Sequence, residues 1–236
     1  MSSVERMVSS RVQSISWQGQ SSSAKIASAV DAVEERIYQL AKPYLTIRHN
    51  DVHTQIALDL ALRLLKKVKG NRHIVVPAII LHDVGWSRLP DEMLSKAFGP
   101  KADMALARIH EEEGVKIAKS ILAEVGYQSQ YADEILQIID GHDTRANAIS
   151  IDDEIVRDAD KLTRYSRSLF WLEVEWFGPS PEKLCRALEL LVEEWFSLPA
   201  SKEIARQELE QRRRELHALR LQTDGLPAPE TEYQAP

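Results

Sequence analysis

The chain has one cysteine, Cys185, among 236 residues. That excludes an intrachain disulfide, a thiolate zinc cage and a C-x-x-C redox pair, and it fits a reducing compartment. Basic residues are not in excess: 30 Lys and Arg stand against 36 Asp and Glu, for a net charge of -6. Broad affinity for nucleic acid or an anionic membrane needs a clustered basic face, so neither partner is expected and an anionic ligand must be held locally. No run approaches the ~18 uncharged apolar residues that span a bilayer, and "MSSVERMVSSRVQSISWQGQSSS" at the start lacks the apolar core of a signal peptide. The expected location is cytoplasmic. Strand alternation is also missing, since "HIVV" and "AISI" are too short to build a sheet. There is no internal repeat at solenoid periods and no G-x-S-x-G nucleophile elbow.

What the chain does have is 44% hydrophobic residues, enough for a sizeable core, arranged with helical spacing. Ile26, Val30, Val33, Ile37 and Leu40 recur at intervals of three and four, and Pro43 ends that run. A second helix is predicted from Asn50, as N-cap, to the lysines Lys66, Lys67 and Lys69, with Gly70 past its end and Ile56, Leu60, Leu64 and Val68 inward. A short buried helix is predicted from Pro77, a good first-turn residue, to Gly85. Further helices are predicted over about Lys101 to Val125, Ser129 to Asp140, Asp152 to Phe177, and Pro181 to Leu198 with Ser180 as N-cap.

Residues 201–221 are mostly charged, with a thin stripe of Ile204, Leu209, Leu216 and Leu219, and predict a solvated helix along the body. Arg212 to Arg214 read as a solvent-facing run balanced by glutamates. Residues 1–23, rich in Ser and Gln, read as a mobile arm, and 222–236, proline-rich and polar, as a disordered tail. The expected fold is all-α, a single helical bundle over residues 24–200 with flexible ends.

Seven histidines carry the chemical information. Four fall on apolar helix faces: His53 in line with Ile56, Leu60 and Leu64; His82 after Ala78 and Ile79; His110 before Gly114, Ile117 and Ile121; His142 after Ile135 and Ile138. Burying several imidazoles is tolerable only if hydrogen bonds or metal take up their lone pairs. Asp83 adjoins His82, and Asp160 sits one turn after Val156. Nitrogen and oxygen donors without sulfur suit manganese, iron, nickel or zinc better than copper(I) or a structural zinc site. His49, His73 and His217 are expected at the surface or behind the ligands.

The order "DVHT", "LHDVG", "RIHEEEG", "DGHDT" and "DADKL" resembles the HD superfamily of metal-dependent phosphohydrolases over roughly residues 45–200. The resemblance implies an HD-type helical bundle in which His53, His82, Asp83 and Asp160 bind a first metal, and Asp83 bridges to a second held by His110 and His142. The implied cofactor is one or two divalent transition metals per chain, from Fe, Mn, Ni, Co or Zn. Two features are expected to mislead. His142-Asp143 is a second His-Asp pair without the apolar run before it, and "HEEEG" has Gly114 where a zincin helix needs histidine. Many family members carry Lys after the Gly of the His-Asp segment, where this chain has Trp86.

Four neutral imidazoles and two carboxylates bring about -2 and two divalent ions +4, so the centre keeps a surplus of about +2 and suits an anion. Such a pair of metals, ~3.5–4 Å apart, activates hydroxide and stabilises both attacking and leaving oxygens. The expected activity is hydrolysis of a small phosphorylated molecule, a nucleotide by preference, with Asp83 as the catalytic carboxylate. Arg145 and Lys161 are the expected substrate contacts, with Arg48 and Arg88 in reserve. A di-iron oxygenase is the first alternative; the short interval from His142 to Asp160 resembles the hydrolytic branch. A non-catalytic nucleotide- or partner-binding module with a structural metal is the second. The charged helix 201–221 suits a partner or a homodimer.

Overall fold

The structure, a computed structural model, describes residues 30–97 and 103–223, with the side chains of Arg48, Ser95, Arg220, Gln222 and Thr223 excepted. The arm expected at 1–23 lies outside the described residues, as does the expected tail beyond 223. Among the described residues ten α-helices follow one another: α1 (Ala32–Ala41), α2 (Asn50–Leu65), α3 (Arg72–Leu81), α4 (Asp91–Ala97), α5 (Met104–Glu124), α6 (Ser129–Ile139), α7 (Ile151–Leu162), α8 (Arg167–Phe177), α9 (Pro181–Trp195) and α10 (Pro199–Thr223). Among the described residues there is no strand, and no helix is long and apolar enough to cross a membrane. The protein is all-α, a helical bundle.

The bundle is arranged around α3. Its residues Val75, Val76, Ala78, Ile79, Ile80 and Leu81 have no exposed surface, and α1, α2, α6 and α7 all pack on it. A helix enclosed on every side is apolar all round, which is why this segment reads as the greasiest of the chain. Asn71 caps it, accepting the His73 N–H. The helix therefore begins five residues before Pro77, which lies in its interior rather than in its first turn. Proline there withdraws the donor that would meet the His73 carbonyl four residues back. The Tyr127 hydroxyl donates to that carbonyl instead, at 2.7 Å, so the loss is repaired from outside the helix.

Other boundaries also depart from the pattern. Asn50 does not cap α2; the cap position is His49, in the left-handed region at φ 61°, and Asn50 is the first helical residue. The segment Asp152 to Phe177 is two helices, α7 and α8, parted by a 3-10 turn and by Ser166, whose extended backbone and hydroxyl cap α8. Periodicity runs on across the break because both halves bury one face against the same core. α4 was not foreseen; it packs on α5 and contributes Leu94 and Ala97 to a small cluster with Trp86, Leu89 and Leu106.

α10 lies on α9 and reaches α7, burying Ile204, Ala205 and Leu209 in the main cluster with Leu216 and Leu219 packed against it. The expected solvent-facing run holds only in part. Arg213 pairs with Glu189 and Arg214 with Glu210 at the surface. Arg212, however, is buried, and its guanidinium donates to Glu215 and to the Tyr165 carbonyl.

Candidate metal centre

The chain brings His82 and Asp83 to the centre by ending α3 at Leu81. His82 then takes the C-cap position, and Asp83 opens a 3-10 turn, Val84–Arg88. The turn lies against α5, and Gly85 is what lets it: a Cβ there would stand 1.9 Å from the His110 carbonyl oxygen and 2.5 Å from the Gly114 nitrogen. Gly85 thus serves close approach rather than ending a helix. α2 is tied to the same turn, because the Asn50 side-chain amide donates to the Asp83 carbonyl at 3.2 Å. In this way His53 on α2, His110 on α5, His142 after α6 and Asp160 on α7 converge on one carboxylate.

The geometry divides in two at Asp83. Its Oδ2 stands 3.4 Å from the Nε2 atoms of both His53 and His82, while its Oδ1 stands 3.6 Å from those of His110 and His142. Asp160 Oδ1 joins the first group, 3.1 Å from His53 and 3.7 Å from His82. The two imidazoles of each group face one another, at 3.1 Å for His53 and His82 and 3.3 Å for His110 and His142. All six residues that the sequence singled out are therefore together.

A seventh belongs with them. Asp143 Oδ2 is 3.7 Å from the Nε2 of both His110 and His142, so the second His-Asp pair, expected to mislead, adds a carboxylate to the second group. Each half then has two imidazoles, one Asp83 oxygen and one further carboxylate. The sequence did display this signal, as a repeated His-Asp dipeptide.

Tautomers explain why these atoms need a cation. His82 Nδ1 lies 2.8 Å from the Ile79 carbonyl and His142 Nδ1 3.0 Å from the Ile139 carbonyl. Carbonyls only accept, so each neutral ring is assigned its proton on Nδ1 and turns a lone pair from Nε2 toward carboxylate oxygens. Lone pairs meeting anions in a buried site are repulsive unless positive charge lies between them. The donor set fits divalent metal: nitrogen and oxygen only, with orienting hydrogen bonds behind His82 and His142.

The titration behaviour says the same. Burial works against charging His142, yet Asp143 and Asp83 outweigh it and push that imidazole up to about 10. Burial is likewise overcome at His53, raised by its bond to Asp160 and by the charge of Asp83. Desolvation opposes ionising Asp83 and Asp160, but the surrounding histidines hold both below the usual carboxylate range. Asp143 goes the other way: burial, with the negative charge of Asp160 and Asp83, raises it over the pull of His142 and His110. The site attracts positive charge, and without metal it takes protons.

Two further residues support the ligands: Glu111, which no motif marks, and Trp86, marked in the sequence only as the residue after Gly85. Glu111, fully buried on α5, accepts from the Asp143 and Thr144 amides at 2.9 Å each, from the Thr144 hydroxyl at 2.6 Å and from Arg108 at 3.0 Å. It folds the loop that carries His142. Trp86 lies parallel to His110, ring centroids 3.8 Å apart, and its indole N–H donates to Asp83 Oδ1 at 3.0 Å.

The centre opens into a cavity of about 1050 Å³ whose lining includes His53, Asp83, Asp143, Asp160 and Trp86. Lys161 lines it as well, with Nζ 3.4 Å from the Trp195 carbonyl. Arg145 does not: its guanidinium pairs with Asp153 at 2.9 Å and donates to the carbonyls of Gln137 and Asp140, bracing the loop before α7. Arg88, over the Tyr44 ring, is not on the lining either, and the side chain of Arg48 lies outside the described residues. The remaining histidines, His49, His73 and His217, are exposed as expected, and His49 also lines the cavity.

No curated protein and no solved structure matches the chain. Residues 51–165 match the sequence profile of the HD domain family, the span from the start of α2 to the turn after Asp160, in which every one of these ligand candidates lies. On that match and on the paired His/Asp groups sharing Asp83, the chain carries an HD domain over residues 51–165.

Proposed function

We propose that the protein is a metal-dependent phosphohydrolase acting on a small phosphorylated molecule, in which His53, His82, Asp83 and Asp160 hold one divalent cation and Asp83, His110, His142 and Asp143 hold a second. HD domains are typical of metal-dependent phosphohydrolases, and the observation that carries the reading is the division of the two Asp83 oxygens between two histidine pairs. Divalent cations at these positions supply an activated water and neutralise the charge that develops on a phosphoryl group. The chain's own residues do the rest. Asp83 sets the spacing of the two positions, and Trp86 and Asn50 hold Asp83 in turn. Glu111 holds the loop of His142 and Asp143 against α5. Lys161, beside Asp160 on the cavity wall, is the proposed contact for a phosphate oxygen; Arg145, committed to Asp153, is not. A nucleotide is one molecule of the class.

Counting Asp143 changes the charge balance. Three carboxylates bring -3 against +4, leaving about +1, to which Lys161 adds one more. That is matched to the charge of a single phosphate group, about -1.5 to -2 near neutral pH. The decisive experiment pairs elemental analysis with phosphate release from simple phosphomonoesters in Mn, Fe, Ni, Co and Zn. Asp83→Ala should lose bound metal and turnover while far-ultraviolet circular dichroism stays that of the parent. If that variant keeps its metal and its activity, the reading fails.

A further inference from the structure

We infer that the substrate carries its phosphate on an extended apolar group, and that α8 and α9 form the pocket for that group. This inference rests on the phosphohydrolase reading for the phosphate end and on the cavity for the rest.

A phosphoryl group fills only a small part of about 1050 Å³, a volume at the upper end of clefts that hold whole drug-sized ligands. Away from the metal centre the lining changes character. Leu172, Leu184, Leu188, Leu191 and Trp195 line it, none of them offering a carboxylate, amide or hydroxyl. Trp176, also on the lining, is 42% exposed, and its neighbour Phe177 is 41% exposed. Large aromatic surface left in water at the edge of a cavity is unfavourable unless an apolar ligand covers it.

The charged groups do not suit a polyphosphate. Arg164 is on the lining but is clamped by Glu173 through two contacts, one of 2.9 Å to Oε2 and one of 2.5 Å to Oε1, with its guanidinium over the Trp195 ring. An arginine so engaged adds no net charge to the cavity. Among the described lining residues this leaves Lys161 and Lys183 as the cations outside the metal centre and that pair. Three linked phosphates would need more donors than these. A nucleobase is likewise unsuited to the leucine wall, because its buried polar edge would have no partners there.

The apolar wall also stands outside the part shared with the family. α8 and α9 span Arg167–Phe177 and Pro181–Trp195, whereas the HD match ends at residue 165. The metal chemistry is thus built by one stretch of chain and the shape of the bound molecule by the next. The two are continuous in space, since His53 and Asp160 line the same cavity as Leu188 and Trp195. That continuity is why the occupant is taken to be the substrate's own apolar portion.

The test uses the metal-loaded full-length protein and unbranched alkylphosphonates of two to ten carbons, non-hydrolysable stand-ins for phosphomonoesters, titrated by calorimetry. Affinity should rise by roughly three- to fourfold per added methylene until the cavity is full. Ala187→Trp, at an exposed position of α9 on the cavity lining, should shorten the series, so that the gain stops several carbons earlier. Leu190→Ala, 80% exposed and not on the lining, should leave it unchanged. An affinity that does not vary with chain length, as when another segment or partner fills the pocket, overturns the inference, and so does tighter binding of ATP than of octylphosphonate. The two readings fail separately. Steep chain-length dependence without hydrolysis of any phosphomonoester removes the enzyme and keeps the apolar pocket. Hydrolysis with a flat series does the reverse.

Discussion

Replacing Glu111 by glutamine tests how the second half of the metal centre is held. The substitution keeps the shape of the side chain and removes its charge. At present one carboxylate oxygen accepts from the Asp143 and Thr144 amides, and the other from the Thr144 hydroxyl and Arg108. A hydrogen bond to a charged group contributes about 1.5–3 kcal/mol and a neutral one about 0.5–1.5, so the two amide bonds should weaken by about 1 kcal/mol each. The Thr144 hydroxyl can rotate and accept from the new amide. Arg108 would face another donor, but it also pairs with Glu112 and Asp140 and is 41% exposed, so it should turn away at little cost. The total is about 2–3 kcal/mol, read from urea denaturation of the metal-free protein. Loosening the loop should also weaken the cation at His110 and His142 by tenfold or more, as is usual when a group orienting a ligand is lost, with the cation at His53 and His82 less affected. The loss should be largest near neutral pH. Burial pushes Glu111 up, but the bonds from Thr144 outweigh it and its pKa is lowered. Its stabilising effect is therefore present above the ordinary glutamate value near 4.5 and fades as pH falls through the lower folded value. A Gln variant within about 0.5 kcal/mol of the parent and with parental affinity at both metal positions would refute this account of the loop.

Two more outcomes follow from the same geometry. Trp86→Phe keeps a ring against His110 but removes the N–H donated to Asp83, which should cost about 1–2 kcal/mol of metal binding, or roughly five- to thirtyfold in affinity; affinity equal to the parent's would show that the indole N–H is idle. Metal binding should release protons, because His142, pushed up to about 10, is protonated at about pH 7.5 and must be neutral to ligate. In the metal-free protein the stabilisation from that proton is complete below about 6.5 and disappears as pH rises toward 10, while metal affinity rises over the same range. Calorimetric titrations in two buffers of different ionisation enthalpy measure the release, and identical heats in both would refute it.

Much of the architecture was legible because it depends on local chemistry. Ser180 and Pro181 open α9 as their residue types predict, with the Ser180 hydroxyl accepting from the Lys183 amide. The apolar faces of α2, α5, α6 and α7 announce which side of each helix is inward, and the four inward histidines follow from the same spacing. What misled was any residue whose role is settled by a distant neighbour. Pro77 reads as a helix start, yet lies in a helix interior because Tyr127 meets the carbonyl it abandons. Arg145 reads as a free cation beside a ligand, yet Asp153 claims it. Arg212 reads as surface charge, yet is buried against Glu215.

The residues of the chain alone determined that it folds as helices, that it buries imidazoles beside carboxylates, and that it forms no intrachain disulfide or thiolate cage, since periodicity and ligand type are properties of short stretches. Tertiary packing decided the rest. It turned Asp83 so that each oxygen meets a different histidine pair, brought in Asp143, and set the apolar faces of α8 and α9 beside the metal centre. Distances between side chains far apart in the chain depend on how helices cross and on where a glycine such as Gly85 permits contact, and no local pattern encodes them.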